Sequence, residues 1–157
     1  MTNPSLLGLP VPDFEAAATG APFKLSALRG RQVVLYFYPK DNTPGCTTEG
    51  QNFRDRHAEF QAAGAEVFGI SRDSLKSHAG FKAKMSFPFE LISDPNEALC
   101  LMFDVMKMKN MYGKQVRGIE RSTFLIDAEG RVAHEWRGVK VVGHVDAVLE
   151  VVKALHD

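Results

Sequence analysis

Thr43, Pro44, Gly45 and Cys46 stand together in the stretch YPKDNTPGCTTE, from Tyr38 to Glu49. These residue types at this spacing can activate a thiol. Threonine caps helices well and proline suits the first helical position, so a helix opening at Pro44 places Cys46 in its first turn. There the unpaired backbone N–H groups and the helix dipole stabilise negative charge. A free cysteine ionises near pH ~8.5, and such a position shifts it toward thiolate, the reactive nucleophile. Gly45 removes a side chain beside the sulfur and leaves room for a small substrate. A lone helical cysteine more often serves as a small hydrophobe. Here its neighbours are Thr, Pro, Gly and Thr rather than an apolar face, which favours a reactive thiol.

Several other chemistries lack their residues. Cys46 and Cys100 are the two cysteines, too few for the disulfide framework of a small secreted fold. A dithiol reductase needs Cys-x-x-Cys, and that position holds Glu49. His57 follows Cys46 by eleven residues. That is about three helical turns or ~16 Å, too far for a nucleophile–base pair. The five histidines (57, 78, 134, 144 and 156) form no ligand pair, so no structural metal site is expected. Nineteen Lys and Arg balance nineteen Asp and Glu, which argues against nucleic acid or an anionic membrane as partner. The start, Met1 to Pro12, has no basic residue, and Gly8, Pro10 and Pro12 break its apolar run, unlike a signal peptide. The longest apolar runs are about six residues against the ~20 that span a bilayer. The expectation is a cytoplasmic protein with reduced thiols.

The elements that position Cys46 can be read along the chain. The 157 residues suit a single domain over 1–157. Val33 to Tyr38 (VVLYFY) reads as a strand buried on both faces. A turn over Pro39 to Gly45 leads to a helix from 44 to about 63, with Phe53, His57 and Phe60 at helical spacing. Ala65 to Ile70 reads as a strand, Asp73 or Ser74 as the cap of a helix to about Lys84, and Phe89 to Ile92 as a third strand. Asp94 and Pro95 open a helix that carries Cys100. The basic, methionine-rich stretch with Lys107, Lys109, Lys114 and Arg117 reads as a loop flanking the site. Ser122 to Ile126 and Val132 to Trp136 form a hairpin across Asp127 to Gly130, and a helix runs from about His144 to Leu155. Strands alternating with helices, then a terminal hairpin, imply α/β layering on a central mixed sheet flanked by helices. That order resembles the thioredoxin fold.

Pro39, Thr43 and Cys46 match the Pro-x-x-x-Thr-x-x-Cys motif of the peroxiredoxins. The text TPGCTTE resembles the subgroup called peroxiredoxin Q, or bacterioferritin comigratory protein. Pro12-Asp13-Phe14, Leu25 to Pro39, Ser93-Asp94-Pro95, Met111 to Lys114 and Gly118 to Asp127 follow in the family's order. The resemblance implies a thiol-dependent peroxidase that needs no cofactor. Cys46 would attack a peroxide oxygen and become a sulfenic acid. Thr43 would hydrogen-bond thiolate and peroxide, and Pro39 would shield the sulfenate. Arg121 would stabilise the thiolate and the leaving oxygen, and Glu49 would have a supporting role. A thiol such as thioredoxin, or glutathione with glutaredoxin, would be the reductant. A monomer is implied, with a dimer as the alternative.

Many members of the subgroup carry a resolving cysteine five residues after the first, where this chain has Gln51. The expectation is therefore a one-cysteine cycle closed by an external thiol. Two alternatives remain: Cys100 as the resolving thiol, and a non-enzymatic peroxide sensor. Apolar neighbours, Leu99, Leu101, Met102 and Phe103, make Cys100 a core residue.

Overall fold

The computed structural model describes residues 5–156; the first four residues of the Pro-rich opening segment lie outside them. The elements are β1 (Glu15–Ala16), β2 (Phe23–Lys24), a 3₁₀ turn (Leu25–Leu28), β3 (Gln32–Phe37), α1 (Pro44–Ala62), β4 (Ala65–Ser71), α2 (Leu75–Met85) and β5 (Glu90–Ser93), then α3 (Ala98–Met102), β6 (Met106–Met111), β7 (Lys114–Ile119), β8 (Ser122–Ile126), β9 (Val132–Arg137) and α4 (His144–His156). The main sheet has the order β5-β4-β3-β8-β9. β3, β4 and β5 run parallel, while β8 and β9 are antiparallel to their neighbours. The sheet is thus mixed and flanked by helices, as its sequence pattern implies, in the thioredoxin-like order expected from it.

The central strand β3 divides two cores. Every residue of it is buried, as a strand covered on both faces requires. Val34 and Tyr36, with Tyr38 just beyond, join Phe53 and Phe60 of α1 and Val145, Val148, Leu149 and Val152 of α4 on one face. Val33, Leu35 and Phe37 join Leu99, Cys100 and Phe103 with the N-terminal segment on the other. Successive side chains of a strand point to opposite faces, so the two clusters lie on opposite sides of the sheet. Cys46 belongs to the first and Cys100 to the second.

α1 packs against the first core closely enough to need Gly50, where an added Cβ would sit 2.4 Å from the Phe87 ring. Ser74 caps α2, accepting from the Ser77 N–H at 3.1 Å. The Asp127–Gly130 turn joins β8 and β9 as a hairpin, with a register shift between Leu125 and Ile126.

Two sequence expectations need correction. The basic stretch after Val105 is not a loop. β6 and β7 pair antiparallel in full register and turn at Tyr112 and Gly113, whose φ values are 53° and 80°. Two left-handed residues in a two-residue connection are the signature of a twisted hairpin. The alternation Met106-Lys107-Met108-Lys109 carried that signal, but no long apolar run accompanies it because most of the hairpin faces solvent. The helix with Cys100 also starts later than Asp94-Pro95. Those residues form a turn, Glu97 adopts φ 64°, and the five-residue α3 begins at Ala98. Asp94 still caps it, accepting from the N–H groups of Leu99 at 3.0 Å and Cys100 at 2.8 Å.

Candidate active site

The end of β3 and the start of α1 place Cys46 as the spacing implies. Thr43 holds the N-cap position and Pro44 opens the helix. The Thr43 side chain does not cap, however. Its hydroxyl donates to the Lys40 carbonyl at 2.8 Å, which braces the turn. With its proton so committed, the Thr43 oxygen is left as an acceptor. Cys46 is 2% exposed, and Pro39 is half-buried at the head of the turn.

Arg121 reaches the sulfur from the β7–β8 junction. Its Nη2 donates to Cys46 Sγ at 3.4 Å and its Nη1 to Glu49 Oε1 at 2.6 Å. One planar fork thus joins the thiol to a carboxylate one helical turn away, a geometry that a guanidinium provides and an ammonium does not. The space that Gly45 leaves is used by this side chain: an added Cβ would lie 3.1 Å from Arg121 Nη2.

Glu49 is fully buried, and its Oε2 has no hydrogen-bond partner. Burial pushes its pKa up to about 7 even though Arg121 pulls the other way. His144, at the start of α4, approaches Oε2 to 4.0 Å through Nε2, and the same nitrogen lies 2.8 Å from Thr123 Oγ1. Burial, and then the Arg121 charge, push His144 down to about 4, so the ring is neutral near pH 7. Lys109 of β6 brings a further cation. It donates to the Ile119 carbonyl, and burial, then Arg121, lower its pKa.

Sequence reasoning therefore missed His144 and Thr123 as neighbours of the site, whereas it had set Lys109 in the basic stretch flanking it. It placed His57 away from the thiol, and that side chain packs against Phe89. Cys100 is fully buried, and burial followed by Asp94 raises its thiol pKa far above the ordinary value. Among the described residues no helix is long and apolar enough to cross a membrane.

The family model described as AhpC/TSA matches residues 7–135. The chain belongs to the AhpC/TSA family. Its curated relatives include a peroxiredoxin Bcp of Xanthomonas campestris, 56% identical over 153 residues and 96% of each chain. Another, from Bacillus subtilis, is 48% identical and covers 96% of this chain and 97% of its own. Among solved AhpC/TSA-like structures, a peroxiredoxin Q of Xanthomonas campestris superposes with a TM-score of 0.87 at 56% identity over 92% of each chain. A cysteine-to-serine mutant of Xylella fastidiosa PrxQ gives 0.93 at 43% identity over 99% of this chain and 100% of its own. A third structure, of the Xanthomonas campestris bacterioferritin comigratory protein, concerns that protein's alkyl peroxide reduction and trapped intermediate and ligand complexes. It is 55% identical with a TM-score of 0.87 over 92% of each chain.

Proposed function

We propose that this chain reduces hydrogen peroxide and alkyl hydroperoxides through Cys46 in a one-cysteine cycle closed by an external thiol. Its family and its peroxiredoxin relatives make it a thiol-dependent peroxidase. The alkyl substrate class follows the relative whose alkyl peroxide reduction is described. The observation that carries the one-cysteine cycle is the placement of Cys46 and Cys100 in cores on opposite faces of the sheet. A disulfide needs Cα atoms within about 7 Å, so pairing them would require the sheet or both helices to come apart.

The Cys46 sulfur attacks one peroxide oxygen as thiolate, forming the S–O bond and breaking O–O. The departing hydroxide or alkoxide takes a proton and leaves as water or alcohol. Arg121 stabilises the charge as it moves from sulfur to the leaving oxygen. Thr43, its own proton held by Lys40, accepts from the peroxide O–H. Glu49 holds Arg121, and Pro39 limits water at the sulfenic acid. A first thiol then displaces water from the sulfenic sulfur, and a second releases Cys46 with a disulfide as by-product. All these side chains come from one chain, which supports a monomer as the working unit. The two free thiols fit a reducing, cytoplasmic setting.

Peroxide consumption with thioredoxin, with glutathione plus glutaredoxin, or with a small dithiol tests the reading. Sustained turnover with at least one donor is expected. One equivalent consumed and then none, with every donor, would mark a sensor instead.

Two further results are expected. Cys100→Ala should leave turnover within about twofold and cost about 1–2 kcal/mol of stability from its small cavity; loss of activity in the folded variant would restore Cys100 as resolving thiol. Glu49→Gln should change how stability depends on pH. A carboxyl raised from 4.5 to about 7 binds its proton more tightly when folded. Its contribution is full below pH 4.5 and is lost as pH rises through 7. Relative to Glu49→Gln, the native chain should lose up to about 3 kcal/mol between pH 5 and 8. Parallel urea midpoints across that range would contradict the assignment.

A further inference from the structure

Behind the turn that carries Thr43 lies a second buried polar cluster, which the peroxidase steps above do not use. His78 of α2 is wholly buried. Its Nε2 lies 2.9 Å from the Ile92 carbonyl of β5, and its Nδ1 lies 2.8 Å from Asp41 Oδ2. A carbonyl oxygen can only accept, so Nε2 carries a proton. The Asp41 carboxyl also receives the Tyr38 hydroxyl on Oδ1 at 2.6 Å and the Ser77 hydroxyl on Oδ2 at 2.8 Å. A carboxyl facing that many donors is an anion. Burial alone would raise the Asp41 pKa, but the bonds from His78, Tyr38 and Ser77 outweigh it and the net shift is downward. The cluster is thus a buried histidine–carboxylate pair in which each ring nitrogen and each hydroxyl has a partner.

Its position matters because Asp41 lies within the Pro39–Gly45 turn. The Asp41 backbone N–H donates to Asp73 Oδ2 at 2.9 Å, and Asp73 accepts from Ser71 at 2.6 Å. The next residue, Asn42, is held at φ 64°. The turn is therefore fastened through Asp41 to Tyr38 just beyond β3 and to α2, and through Asp73 and His78 to β4 and β5. Asp41, Asp73 and His78 also cluster as three potential metal ligands, but the facing atoms of Asp41 and His78 are already spent on each other.

We propose that Asp41 and His78 are positioning residues for the peroxidase reaction: their buried hydrogen-bonded pair fixes the turn so that Thr43 presents its acceptor oxygen to peroxide beside Cys46. The proposal rests on the peroxidase reading, and its test separates the two. The groups facing the pair are Tyr38 just beyond β3, Ser77 from α2, Asp73 from the β4–α2 loop and the Ile92 carbonyl from β5.

Asp41→Asn keeps the shape and removes the charge. It should slow peroxide oxidation of Cys46 about tenfold, since small misplacements of a reacting geometry are costly. Alkylation of Cys46 by a haloacetamide needs the thiolate and not Thr43, and should change less than twofold. Ser77→Ala removes one donor and should give the same pattern, weakened to two- to threefold, which covers the case that Asp41→Asn does not fold. Unchanged peroxide rates, or equal losses in both reactions, would overturn the proposal. Native protein that alkylates at Cys46 but never consumes peroxide would instead sink the peroxidase reading itself.

Discussion

Cys46→Ser should abolish peroxide turnover while leaving the fold intact. The substitution exchanges one atom in a nearly closed niche, where Cys46 is 2% exposed. Serine is close in shape, so the cost in stability should be about 1 kcal/mol or less. The chemistry does not survive the exchange. A thiolate is accessible near neutral pH, whereas an alkoxide is not, and the soft sulfur is the atom that accepts oxygen from peroxide. Arg121 and the helix start would then face an uncharged hydroxyl that neither can activate. Consumption of hydrogen peroxide and of an alkyl hydroperoxide, with circular dichroism as the control for folding, checks the result. Turnover by Cys46→Ser comparable to that of the native chain would remove Cys46 from the reaction.

Arg121→Ala should reduce the peroxide rate by about 10²–10³-fold, the scale on which removing one preorganised donor at a developing charge acts. This side chain makes two bonds at once, to Cys46 Sγ and Glu49 Oε1. Its loss therefore also strands a fully buried carboxyl. Glu49 already sits at about 7 with Arg121 pulling it down, so without that pull its pKa rises further. At pH 6 Glu49 stays protonated and the fold loses little. At pH 8 the native chain gains from the ion pair and the variant cannot, so the stability difference between them should widen with pH. Arg121→Lys keeps the charge but not the planar fork, and should recover only part of the rate. A variant with Arg121→Ala that is as fast as the native chain, or equally destabilised at pH 6 and pH 8, would contradict this account.

Much of the site was legible because its parts lie close along the chain. Thr43, Pro44 and Cys46 belong to one strand–turn–helix, where local propensities and the site's chemistry agree. Glu49 follows on the same helical face. Arg121 was reached only through resemblance, since nothing local marks a strand-end arginine as reaching a sulfur seventy-five residues earlier. His144 and Thr123 had no signal at all. The approach of His144 to Glu49 and to Thr123 depends on how α4 docks over β8, which is tertiary packing. The Asp41–His78 pair was equally hidden: each looks like an ordinary polar residue, and only the fold shows that both are buried together. The mixed sheet flanked by helices followed from the alternation of elements, yet β6 and β7 did not. They pair with each other and not with the main sheet, so they lack the buried apolar face that makes strands easy to read.

The separation of the two thiols underlies the one-cysteine cycle, and intact mass analysis of the oxidised monomer tests it most directly. The reduced protein is treated with one equivalent of peroxide, without reductant, and measured under non-reducing conditions. The account predicts a gain of one oxygen on the peptide containing Cys46, trapped by a sulfenic-acid reagent, with Cys100 still a free thiol. Loss of two hydrogens, with Cys46 and Cys100 joined in one disulfide, would contradict it.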